Sequence, residues 1–236
     1  MNLQGKTALV TGANRGLGKA LVDALLDAGI ARVYAGVRDP DSFPATERVV
    51  PVTLDVTDLE SVRAAAAACP DVDLLINNAG IARGASLLQP ASLEFARSEW
   101  ETLCLGPLAM TQAFAPALAR RGGGVVVNVL SALTWISMPG LATYSSAKTA
   151  AWSLTNGLRN ELREQGTRVV GVHVGFMDTD LARGVPVPKE HPTSVAQEIV
   201  AALGRDDIEV LVDSTSKQLK AGLAAGAYLS DPTRPS

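Results

Sequence analysis

The chain has few of the features that would assign it quickly. It holds 2 cysteines in 236 residues, Cys69 and Cys104, too few for a disulfide framework, so a reducing compartment is the simple reading. It has no excess of positive charge. Against 24 Asp and Glu stand 21 Lys and Arg, a net charge of −3. No basic stripe is available to neutralise phosphates, which argues against nucleic acid as a partner. No apolar run approaches the ~20 residues needed to span a bilayer, so no membrane partner is expected. The start, Met1-Asn2-Leu3-Gln4-Gly5-Lys6, runs into a strand without a charged-then-apolar leader. A cytoplasmic globular protein is expected. Neither of the 2 histidines belongs to a ligand cluster, and no metal is implied. His173 falls inside a strand pattern, where packing explains it, and His191 in a variable segment. No repeat, linker or second domain is visible.

What is present is a large core. Hydrophobic residues make up 47% and charged residues 19%, which suits one α/β domain over 1–236. Apolar, β-type runs at 7–10, 31–37, 48–56, 72–76, 125–130, 168–174 and 209–212 alternate with helical spacing. The helical stretches are 19–28, one capped by Asp58, a long one from 92 to 120 deflected near Pro116, 142–164, 194–203 and 216–225. Strands apolar throughout, alternating with helices, mean a doubly wound, mainly parallel sheet with helices on both faces. Ligands of such sheets sit beyond the carboxyl ends of the strands, where Gly12, Asp55, Asn77, Ser131 and Gly175 all fall. From 176 to 193 the pattern lapses into Pro, Gly and charge, which reads as a lid over a substrate pocket. The tail, 231–236, reads as frayed.

Two stretches carry chemistry. Thr11-Gly12-Ala13-Asn14-Arg15-Gly16-Leu17-Gly18 follows the first strand and opens the first helix. Glycines there permit a tight turn and let backbone N–H groups approach a pyrophosphate at the positive helix end. The stretch narrowly misses a triphosphate loop, because Lys19 is followed by Ala20, which cannot ligate Mg²⁺. The second strand ends Ala35-Gly36-Val37-Arg38, with no carboxylate to grip a ribose 2′-hydroxyl. Arg15 and Arg38 instead offer guanidiniums to a 2′-phosphate, favouring NADP(H) over NAD(H). The second stretch is Tyr144-Ser145-Ser146-Ala147-Lys148, with Ser131 upstream. Tyrosine and lysine four apart share a helix face. A neighbouring ammonium is expected to lower the phenol's pKa and make it a usable acid-base, with the serine donating to a substrate oxygen.

Together with Asp55, Asn77-Asn78-Ala79-Gly80 and the segment from Gly175 to Thr179, these motifs resemble the short-chain dehydrogenase/reductase family in its compact form, over about residues 6–179. The resemblance implies a Rossmann-type fold and reversible hydride transfer between a nicotinamide and a carbonyl carbon. In that reading Tyr144 protonates the alkoxide, Ser131 holds its oxygen and Lys148 binds the nicotinamide ribose. Asp55 and Val56 contact adenine, Asn78, Ala79 and Gly80 flank the ribose, and Gly175 and Thr179 border the nicotinamide. Paired long helices imply a homodimer or homotetramer.

Three further points come with the resemblance. Val174-Gly175 replaces the usual Pro-Gly, which implies a less rigid loop. Leu103 stands where the family has an asparagine that helps hold a water on the lysine's path to solvent, and a leucine side chain can hold none. Asn128 reads as a structural residue of the sheet. The candidate lining, Leu133, Trp135, Ile136, Met138, Leu141, Phe176, Met177, Leu181 and Val185, carries no charge and suits an apolar or aromatic ketone or aldehyde. A nucleotide-binding redox sensor of the same fold, motivated by Leu103, is the alternative. A third reading, an epimerase or dehydratase on this fold, would need a longer C-terminal substrate region.

Overall fold

The structure, a computed structural model, describes residues 1–183 and 187–229. Among them, seven strands form one sheet in the order β3-β2-β1-β4-β5-β6-β7, every neighbouring pair parallel. The strands are β1 (Thr7–Thr11), β2 (Arg32–Val37), β3 (Val49–Thr53), β4 (Leu74–Asn77), β5 (Val125–Val129), β6 (Arg168–His173) and β7 (Glu209–Leu211). The helices between them are α1 (Gly16–Asp27), α2 (Leu59–Ala68), α3 (Ser92–Trp100), α4 (Gly106–Arg120), α5 (Ala142–Glu161), α6 (Pro192–Gly204) and α7 (Ser214–Ala221). The alternation expected from the apolar runs is therefore present, and the sheet is doubly wound.

The two faces of the sheet explain why its strands are apolar throughout. On one, Leu21, Leu25, Ile199 and Leu203 of α1 and α6 pack against Ala8, Val10, Leu74 and Ile76. On the other, Val62, Met110, Phe114, Leu118 and Leu158 of α2, α4 and α5 cover Leu9, Leu75 and Val126. Successive strand residues thus enter opposite cores. Cys69 and Cys104 are free and buried, and burial pushes the Cys69 thiol up to about 12.

The long helical stretch is interrupted where Leu103 sits, and not at Pro116. Glu101–Leu105 is one turn of π-helix closed by Gly106 N–H to the Glu101 carbonyl, while Pro116 lies within α4. Such bulges redirect a helix without ending it. Taken as one unit, Ser92–Arg120 is long and apolar enough, by length and composition, to cross a membrane. In this fold Met110, Phe114 and Leu118 from it are fully buried in the core. The last helix starts at Ser214 rather than 216 because Asp213 caps it, accepting from Ser216 N–H at 2.7 Å. Of the segment expected to act as a lid, residues 184–186, Val185 among them, lie outside the described residues, as does the tail 231–236.

Candidate active site

The glycine-rich turn is held by backbone fit. Gly12 has φ +65, and a Cβ there would lie 2.9 Å from the Ala79 Cα. A Cβ on Gly18 would lie 2.1 Å from the Gly12 carbonyl oxygen. The two turns are tied by Thr11, whose Oγ1 accepts from the N–H groups of Asn78 and Ala79, both at 2.9 Å, while Asn78 Nδ2 donates to the Thr11 carbonyl at 2.9 Å. Gly16 (φ +52) faces Thr179, whose Cγ2 is 3.2 Å from a Cβ built there. Residues 163 apart in sequence thus meet over one turn.

This end of the molecule fits an anionic cofactor. Helix α1 begins at Gly16 without a side-chain cap and without an acidic residue in its first turn, so its first N–H groups are free to meet a phosphate. The Leu17 side chain is buried in the core, leaving only its N–H to offer, and Asn14 is exposed. Arg15 pairs with Asp180 at 3.1 Å across an exposed surface. Asp55 Oδ1 accepts from the Thr57 hydroxyl at 2.7 Å and its N–H at 2.9 Å. Those bonds, with Arg38 nearby, hold the Asp55 carboxyl below its usual range. Val56 is buried and packs at Gly106. Leu103 is buried too, its Cδ2 3.3 Å from a Cβ built on Gly80, so an apolar contact fills the position of the family's asparagine.

The second cluster lies beyond β5. Ser131 begins a tight turn in which its Oγ accepts from Leu133 N–H at 3.1 Å and its own N–H donates to Thr134 Oγ1 at 3.3 Å. Its side chain also acts on the Tyr144 phenol, opposing the rise in the phenol's pKa. Lys148, one turn further along α5, donates to the Val129 carbonyl at 2.7 Å and lies 5.8 Å from the centre of the Tyr144 ring. The structure therefore brings Ser131, Tyr144 and Lys148 together.

The electrostatics reverse one expectation. Tyr144 is pushed up to about 12, chiefly by burial, against which the Ser131 bond acts; the charge of buried Glu99 adds to the rise. Burial pushes the Lys148 ammonium down to about 8. Burial is the largest cause for both groups, so the phenol of the free chain is raised rather than acidified. It is held as a protonated acid.

Other residues surround the pair. Asn77 Nδ2 donates to Asn128 Oδ1 at 2.8 Å, and Asn128 Nδ2 to Thr155 Oγ1 at 2.9 Å, a buried chain from β4 to α5. Asn128 is structural, as expected. Gly175 N–H donates to Asp213, a tie that steadies the loop lacking the usual proline. Glu99 accepts from the N–H groups of Arg83 and Gly84 at 2.8 and 3.1 Å. The sequence reading missed Asp213 and Glu99. Asp213 before Ser214-Thr215-Ser216 is a helix-cap pattern that could have been found, whereas nothing in sequence signalled Glu99.

Of the proposed lining, Leu133, Trp135 and Ile136 are buried, and the Trp135 ring stacks on His173, 4.1 Å away, turned toward the sheet. A cleft of about 460 Å³ opens instead beside the start of α5, lined by Leu87, Leu88, Met138, Gly140 and Leu229 among others.

Parallel sheet, glycine turn and hydroxyl-ammonium pair define a class, the nucleotide-dependent oxidoreductases. The family model for short chain dehydrogenase matches residues 6–189, and the chain belongs to that family of oxidoreductases. A solved short-chain dehydrogenase from Burkholderia cenocepacia J2315, in complex with NADP, is 41% identical with a TM-score of 0.92, over 96% of this chain and 95% of that one. Carbonyl reductase [NADPH] 2 of Sus scrofa is 35% identical over 78% of this chain and 77% of its own length. A short-chain dehydrogenase/reductase from Burkholderia phymatum, in complex with NAD, shares the fold at 23% identity, with a TM-score of 0.85 over 100% of this chain and 99% of that one.

Proposed function

We propose that this chain is an NADP(H)-dependent carbonyl reductase that reversibly converts an apolar or aromatic ketone or aldehyde to its alcohol. The observation that carries the proposal is the cluster of Ser131, whose side chain acts on the Tyr144 phenol, with Lys148 one turn along the helix and 5.8 Å from the centre of the tyrosine ring. With its phosphates at the glycine turn, the bound dinucleotide would supply the hydride from its nicotinamide. Gly12, Asn14, Arg15, Gly16, Leu17 and Gly18 hold the phosphates, and Arg15 and Arg38 flank the 2′-phosphate. Asp55 and Val56 meet the adenine, Asn78, Ala79 and Gly80 the ribose, and Gly175 and Thr179 the nicotinamide edge. Ser131 donates to the carbonyl oxygen while Tyr144 gives it a proton. Lys148 holds the ribose, and its charge favours the phenolate left behind.

NADP(H) is supported by the absence of a carboxylate at the end of β2, where Arg38 stands. The NADP complex and the NADPH-dependent reductase among the relatives support it as well. The apolar substrate is supported by the leucines of the cleft. Trp100 and Leu105, both exposed on the long helical stretch, support a homodimer or homotetramer joined through that face. We place the enzyme in the cytoplasm, acting on a small molecule.

The test is a panel of ketones and aldehydes with NADPH and with NADH, followed at the nicotinamide absorbance. Reduction of aryl or alkyl ketones with NADPH favoured is the expected result. NADPH binding with no turnover of any carbonyl would favour the redox sensor.

A further inference from the structure

His173 is the buried titratable group that the proposed mechanism leaves unused. It ends β6 and is fully buried. Its ring lies nearly parallel to Trp135, at 17° and 4.1 Å between centroids. Its Nδ1 lies 3.2 Å from the Ser131 carbonyl oxygen. A carbonyl can only accept, so Nδ1 carries the hydrogen, and the partner fixes the tautomer. Nε2 has no hydrogen-bond partner. The nearest carboxylate oxygen, on Glu209 of β7, is 3.7 Å away, too far for a hydrogen bond, and Glu209 is itself paired with Lys220 of α7. The other charges acting on the ring are Arg159 and Lys148 of α5, which with Lys220 disfavour an imidazolium. Burial is the larger cause, taking the imidazole down to about 4. The ring is neutral at physiological pH.

We propose that His173 is a positioning residue for Ser131: a neutral Nδ1–H donor that holds the serine's carbonyl and thereby aims its hydroxyl at the reacting oxygen. The bonds to Ser131 Oγ and N from within its turn tie the residue to its own neighbours, Leu133 and Thr134. The Ser131 carbonyl also accepts from Thr134 N–H at 3.1 Å, and Leu130 and Ala132 on either side donate to the Val172 and Val174 carbonyls; the bond from His173 adds the side-chain tie from β6 to the Ser131 carbonyl itself. With the carbonyl anchored, and Oγ already accepting from Leu133, the hydroxyl hydrogen is left to the Tyr144 side. The stack on Trp135 keeps the imidazole plane from rotating away.

The proposal rests on the reductase reading for its kinetic arm, so a second arm is independent of it. In the first, wild type, His173→Asn and His173→Leu are compared with acetophenone and NADPH, with NADPH affinity read separately by fluorescence. His173→Leu should lose about 10- to 100-fold in kcat, with NADPH affinity unchanged. His173→Asn, which can restore an N–H donor, should recover most of the rate. An unimpaired His173→Leu, or an asparagine variant as poor as the leucine one, overturns the proposal. In the second, long-range ¹H–¹⁵N correlation spectra of wild type labelled at histidine report the tautomer at pH 7. Only two histidines are present, and His191→Ala assigns them. The Nδ1–H form is expected; an Nε2–H or charged His173 overturns the proposal even if the leucine variant fails to fold. A wild type that reduces no ketone sinks the reductase reading and leaves this second arm standing.

Discussion

The two sides of the site are built differently. Around the glycine turn, precision comes from backbone: Gly12 and Gly18 close against carbonyl and Cα atoms, and α1 begins uncapped. The charged side chains there, Arg15, Arg38 and Asp180, are exposed. Around Ser131 and Tyr144, precision comes from side-chain hydrogen bonds within the Ser131 turn, in surroundings dry enough to push the Tyr144 phenol up to about 12 and the Lys148 ammonium down to about 8. A backbone cradle rimmed by solvated charge suits an anionic ligand that binds from solvent. Proton transfer needs desolvation, because only there do small displacements of charge carry large energies.

The comparison can be broken from either side. The largest effect is expected of Tyr144→Phe, a fall of about 10³-fold or more in kcat with NADPH affinity kept, since general acid catalysis alone is worth that much. Gly18→Ala should cost about 100-fold in NADPH affinity, read by fluorescence titration, because its Cβ would enter the Gly12 carbonyl. Arg38→Ala should weaken NADPH about tenfold and leave NADH unchanged, reducing the preference rather than the chemistry. Asn128→Ala should leave kcat within a few-fold. It removes one buried bond each from Asn77 and Thr155, which keep Thr111 and the Ala151 carbonyl as partners, and should cost about 1–2 kcal/mol in urea denaturation. If instead Arg38→Ala abolished turnover at saturating NADPH, the division of labour between the two sides would be wrong.

The fold was legible because its signals are repetitive. Seven apolar runs spaced by helical patterns leave little choice but a parallel sheet covered on both faces, and motifs such as Tyr144 and Lys148 need only a helix to be neighbours. Long-range packing was not legible. The stack of Trp135 on His173 joins residues 38 apart and turns a presumed substrate contact inward. Glu99 reaches back to Arg83 and Gly84 through no local pattern. The direction of the Tyr144 shift was misjudged because one-turn spacing reveals a cation but not the depth of burial. The long helix is expected to deflect near Pro116 because proline is the visible helix breaker, whereas the π-turn at Leu103 has no residue of its own to announce it.

Whether the acid is stored as a protonated phenol is the point on which the mechanism turns. Lys148, lowered to about 8, keeps its charge below that pH and loses it above, so reduction should decline as pH rises through about 8. The direct measurement is the tyrosinate absorbance of wild type minus Tyr144→Phe, titrated without cofactor. The account predicts no phenolate from Tyr144 up to pH 10, in line with its shift to about 12. A transition below pH 8 would contradict it, and would restore the lysine-acidified phenol.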